Sequence, residues 1–98
     1  MTINDVKNGS NLIIALEGRL DTTTAPELEA HVNAVLDDVT ELVFDMSKLE
    51  YISSAGLRVL LATQKKMNTK GTMVVKSIND TIAEIFEVTG FSDILTIQ

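Results

Sequence analysis

Ser53 and Ser54 are the side chains of this sequence most open to chemistry, because of where they fall. Before them runs Leu42, Val43 and Phe44, the length of a buried strand, followed by a loop punctuated by Asp45, Ser47 and Lys48. After them the period becomes helical: Leu57, Leu60 and Leu61 repeat at i, i+3 and i+4, and Met67 continues the face. A serine where a loop meets the first helical turn caps backbone N–H groups that have no partner in the helix. It also holds a hydroxyl at the positive end of the dipole, where an anion is stabilised. This spacing predicts Ser54 at the cap, with Ser53 turned away from it. Gly56 lacks a Cβ, which would let a partner backbone or a nucleotide approach, or would serve packing against the neighbouring loop. Arg58 follows one turn beyond Ser54. A second polar loop, Gly18 to Thr24, carries Asp21, Thr22 and Thr23.

No enzyme constellation forms around these residues. Ser54-Ala55-Gly56 only partly matches a hydrolase nucleophile turn, since Ile52 stands where the first glycine belongs. The sole histidine, His31, lies inside a predicted helix and off its apolar stripe. It reads as a solvated surface residue, because no second histidine or cysteine exists to complete a metal site. Walker-type phosphate loops and the dinucleotide glycine fingerprint are missing. The carboxylates show no paired acid/base spacing. The chain therefore reads as acted upon rather than catalytic, with no metal and no cofactor expected.

The elements that must position these residues follow from periodicity. Ile3 to Lys7, the turn Asn8-Gly9-Ser10-Asn11 and the apolar run Leu12–Leu16 predict an antiparallel hairpin. Thr24 with Glu27 fits a capping box, with Pro26 in the first turn. Leu28, Val32, Val35, Leu36 and Val39 give that helix an apolar stripe. A strand over Glu41 to Asp45, a helix over Ser54 to Asn68 and a strand at Thr72 to Val75 make a βαβ unit, whose strands should be parallel. Lys65, Lys66 and Lys70 cluster at the helix C-terminus, where cations suit the dipole. Gly71 ends that helix. Asn79 or Asp80 caps a last helix, with Ile82, Ile85 and Phe86 on its apolar face, Val88 at the edge and Gly90 at its end. Phe91 to Ile97 is a final strand or a tail docked on the core. Leu49, Tyr51 and Ile52 are either a partner surface or packing beneath the loop. The fold class expected is α/β: a single domain over residues 1–98, with a mixed four- to five-stranded sheet packed with amphipathic helices.

Composition narrows the functional classes. Ninety-eight residues fit one domain, and 45% apolar content suits a packed core rather than disorder. The absence of cysteine excludes disulfides and thiolate metal sites. No apolar run is long enough for a membrane span, and no secretory signal is visible, so a cytoplasmic protein without membrane insertion is expected. A net charge of −6 argues against direct nucleic-acid binding, which needs a basic face. It suits a basic protein partner, or simply solubility.

The central stretch, Phe44-Asp45 followed by Ile52-Ser53-Ser54-Ala55-Gly56-Leu57, resembles the signature of STAS domains, in particular bacterial anti-sigma factor antagonists. Gly18-Arg19-Leu20-Asp21 and Thr24-Ala25-Pro26-Glu27-Leu28 match a second element of that family, and the resemblance spans roughly residues 3 to 97. It implies that the serine two places before the glycine, Ser54, is phosphorylated by a partner anti-sigma factor that is itself a serine kinase. It implies a PP2C-type phosphatase that resets the switch, and release of a sigma factor by the unphosphorylated form. Asp21 then corresponds to the family's acidic loop residue in the partner contact. Thr22, Thr23, Ser53, Gly56 and Arg58 would share that surface, with Arg58 able to pair partly with a phosphate. Ser53 stands where the family usually has an acid. The alternative within the resemblance is a non-switching STAS subunit of a lipid ABC transporter or of a stress-sensing scaffold.

Overall fold

The computed structural model describes all 98 residues. β1 (Thr2–Asn8) and β2 (Asn11–Leu20) form the opening hairpin, joined by the two-residue loop Gly9-Ser10, in which Gly9 takes the positive φ (64°) that such a loop asks of its first residue. α1 (Ala25–Val35) crosses to β3 (Glu41–Ile52), and α2 (Ser54–Asn68) crosses to β4 (Thr72–Lys76). The sheet order is β1-β2-β3-β4, with β1 antiparallel to β2 and the remaining pairs parallel. α3 (Asp80–Thr89) and a short 3-10 turn at Phe91–Asp93 close the chain. The tail adds only one parallel bridge, Val75 to Ile97, so the sheet has four strands and a rudiment of a fifth.

Alternation decides which face is core. Leu12, Ile14 and Leu16, then Leu42, Phe44 and Met46, then Met73 and Val75 are buried, while Ile13, Val43 and Val74 between them are only half-buried. The buried set joins Leu28, Val32, Leu57, Leu60, Met67, Ile82 and Phe86 from the helices in one cluster. All three helices thus feed a core on one face of the sheet, and the other face is open.

β3 is longer than its sequence suggests. The predicted strand stops at Asp45, whereas the observed one runs on to Ile52. The register against β2 slips twice, between Ala15 and Glu17 and between Gly18 and Arg19, so that β3 carries an extra residue at each place. Asp45 Oδ1 accepts the Ser47 N–H at 3.0 Å and satisfies a donor freed by the first bulge. Each bulge shifts the buried phase by one, which is why Leu49 and Ile52 point into the core after Met46. They pack beneath rather than forming a partner surface. β2 likewise continues to Leu20, into the stretch expected to be loop.

The helix ends differ from expectation at α1. Thr24 occupies the cap position, but its side chain makes no cap bond, so the capping box with Glu27 does not form. Asn79 caps α3, accepting the Ile82 N–H at 2.8 Å, and Gly90 ends it at φ 80°. Lys66 reaches Asn33 and Lys70 reaches the Leu36 carbonyl, so these lysines tie α2 to the end of α1. His31 is not free in solvent: its Nε2 lies 2.7 Å from Asp5 Oδ2 and ties α1 to the edge strand.

Candidate functional site

The carboxyl ends of β2 and β3 lie side by side, with Leu20 paired to Ile52, and the Ser53 N–H donates to the Leu20 carbonyl at 2.8 Å. The chain leaves β2 into the Asp21 loop and leaves β3 into α2, so both candidate stretches sit at one end of the sheet. Both stretches therefore share one rim of the sheet, at the carboxyl ends of its parallel strands.

The Asp21 loop is a closed hydrogen-bonded turn. Asp21 Oδ1 accepts the N–H groups of Thr23 and Thr24 at 3.0 and 3.1 Å. The Thr24 hydroxyl accepts from Asp21 N–H and lies 2.9 Å from the Arg19 carbonyl. Its oxygen is committed backward, which is why it does not cap α1. The Thr24 N–H holds the Asp21 carboxyl below its usual range; the Thr23 N–H, the Thr24 hydroxyl and the Arg19 charge add to this, against a partial opposing effect of burial. Thr22 and Thr23 are left exposed on the outside of the turn.

At the start of α2 the two serines have exchanged the expected roles. Ser53 is the cap: its backbone is extended (φ −97°, ψ 174°), and its Oγ accepts the Gly56 N–H at 3.4 Å. Ser54 is the first helical residue and is exposed, and no hydrogen bond holds its hydroxyl. A cap must be the last extended residue before the helix, and spacing alone did not say which serine that was. Gly56 is buried, and a Cβ there would lie 2.6 Å from Leu20 Cγ and 2.9 Å from Ile52 Cγ1. Its bareness serves the packing of the β2 and β3 ends under α2, and it presents no face to a partner. Arg58 is exposed, in neither of the molecule's two ion pairs. Together with Thr22, Pro26, Glu29 and Ala55 it lines a groove of about 310 Å³ between the first turns of α1 and α2.

Arg19 and Tyr51 form a pair that no local sequence pattern announces. The Arg19 guanidinium lies over the Tyr51 ring, 4.5 Å from its centroid, on neighbouring strands just below the site. The signal was present only in the register, since the pairing of Arg19 with Tyr51 depends on both bulges.

A family model described as the STAS domain matches residues 2–98. The chain belongs to the STAS domain family. The BtrV protein of Bordetella bronchiseptica, named as a candidate anti-sigma factor antagonist, is 36% identical over 88 residues, covering 88% of this chain and 76% of BtrV. A crystal structure of an anti-sigma factor antagonist from Mycobacterium paratuberculosis matches this STAS domain with a TM-score of 0.89 at 27% identity, over 98% of this chain and 83% of that one. The Bacillus protein SpoIIAA in its phosphorylated form shares the fold, with a TM-score of 0.77 at 16% identity over 99% of this chain and 91% of that one. In this chain the helix-capping Ser53, the exposed Ser54 and the Asp21 turn are carried on a STAS domain.

Proposed function

We propose that this protein is an anti-sigma factor antagonist whose binding is switched by phosphorylation of Ser54. The observation that carries the reading is the free, exposed Ser54 hydroxyl on the first turn of α2, beside the rigid Asp21 turn. The unphosphorylated form binds an anti-sigma factor serine kinase across the ends of β2 and β3 and the first turns of α1 and α2. Asp21, Thr22, Thr23, Ser53, Ser54 and Arg58 belong to that surface, while Gly56 shapes it from beneath. A captured anti-sigma factor leaves its sigma factor free. The partner's bound ATP donates the γ-phosphoryl group to the Ser54 oxygen, and a PP2C-type phosphatase removes it by hydrolysis.

The switch is local. A phosphate adds about −1.5 to −2 charge at pH 7. At the N-terminus of α2 that charge meets favourable backbone dipoles, and Arg58 one turn on is an available cation, so the fold survives. A desolvated partner contact over the same turn does not tolerate it. About 4 kcal/mol lost there is roughly a thousand-fold in affinity.

The test is incubation with the cognate anti-sigma kinase and ATP. One phosphate is added to wild type and none to Ser54→Ala; equal labelling of both chains overturns the assignment. Ser54→Asp keeps its circular dichroism and binds the kinase far more weakly, and an unchanged affinity refutes the exclusion mechanism.

A further inference from the structure

We infer that the open face of the sheet is a self-association surface on which a second copy of this chain packs, with the two-fold axis running along the strands between β2 and β3. The register places Val6, Ile13, Val43 and Val74 in one row across all four strands. Val6 is 63% exposed and Ile13, Val43 and Val74 are half-buried, and none of the four belongs to the core cluster or packs against it. Strand propensity alone does not ask for four apolar residues in line on a solvated face, where alternation normally places polar side chains. Beside the row lies a shallow hollow of about 360 Å³, lined by Ile13, Val43 and Val74 together with Thr72, Lys76 and Gln98.

The occupant follows from self-complementarity. A two-fold axis along the strands places β1 of one copy over β4 of the other, and β2 over β3. Val6 then sits above Val74, at the hollow, and Ile13 sits above Val43. Further along, Glu17 and Lys48 are register partners on β2 and β3. The same rotation lays each Glu17 over the partner copy's Lys48, so opposite charges meet twice. A two-fold axis across the strands instead brings Asp45 over Glu41, like charge on like. The charges therefore select one of the two aligned arrangements, in which sheet packs on sheet with strands nearly parallel.

Size sets the strength. Four strands about 4.8 Å apart, over the length of the paired rows, give a patch of roughly 400 Å². That is about half of the roughly 800 Å² per partner of a standard interface, so the dimer is weak and concentration-dependent. The phosphorylation surface lies at the strand ends and stays free in both copies.

Sedimentation equilibrium from micromolar to millimolar concentration tests this. The average mass should rise from that of a monomer toward twice that value. Val43→Lys, folded by circular dichroism, should remain monomeric throughout. Lys48→Glu should weaken the association, and the exchange Glu17→Lys with Lys48→Glu should restore it. A monomer mass at every concentration, the face then being free for a different protein, overturns the inference. So does a dimer that Val43→Lys leaves intact.

Discussion

At Ser53 a hydroxyl meets the Gly56 N–H at 3.4 Å, a long bond, while the backbone geometry of the cap is correct. Removing it should therefore cost little: Ser53→Ala loses about 0.5–1 kcal/mol, the low end for a cap. Gly56→Ala, three residues on, should cost more, about 1–3 kcal/mol, because the new methyl overlaps Leu20 and Ile52 inside the core. Urea midpoints of the two variants give the order, and the reverse order refutes this account of the turn. Ser53→Asp restores a charged cap and should stabilise the unmodified protein by about 0.5–1 kcal/mol through the dipole. The same carboxylate would stand beside a phosphate on Ser54, so the gain should shrink or vanish in the phosphorylated form. Thermal melts of both forms read this directly.

β3 shows what a sequence discloses about an element and what it hides. Its first half, Glu41 to Asp45, carries the apolar run Leu42-Val43-Phe44 and reads as a strand. Its second half buries Leu49 and Ile52 at spacings of three, which breaks the period of two of a strand, and Ser47 and Lys48 interrupt it with polar residues, so the stretch after Asp45 reads as a loop. The cause is two bulges, a feature of pairing with β2 that no local pattern carries. Much else was legible: the hairpin, the order of helices and strands, the parallel βαβ unit, a cap at Asn79 or Asp80 and the Gly90 stop each rest on local chemistry. The loop-to-helix junction at Ser53-Ser54 was legible, but which serine caps it was not, because capping depends on which residue is last in extended backbone. The first bulge makes its own prediction. Asp45→Ala orphans the Ser47 N–H and should cost about 1–2 kcal/mol, whereas Asp45→Asn keeps an acceptor and should cost less. Equal losses in urea denaturation would mean that the carboxylate supports the bulge by charge rather than by that bond.

The whole molecule carries −6, and its self-repulsion relaxes as carboxylates protonate. Against this stand three aspartates whose native environment favours the ionised form. Asp21 is held down first by the Thr24 N–H, Asp38 by the Lys7 ammonium, and Asp45 by the Ser47 N–H. All three lie below the ordinary value of 3.8, the value they regain on unfolding. A depressed native pKa adds stability that is complete above 3.8 and is lost as pH falls through the lower native values. These groups lie at the site turn, at the end of α1 and at the β3 bulge, so the loss is spread across the fold. Two opposite slopes follow. From neutral pH down to about 5, relief of repulsion should leave the urea midpoint level or raise it slightly. Below 3.8 the midpoint should drop, because the folded state then surrenders carboxylate acceptor bonds that the unfolded chain never had. The triple variant Asp21→Asn, Asp38→Asn, Asp45→Asn should lose much of that acid-side drop while keeping its behaviour near neutral pH. An acid limb as steep in the variant as in wild type would show that other carboxylates govern acid unfolding.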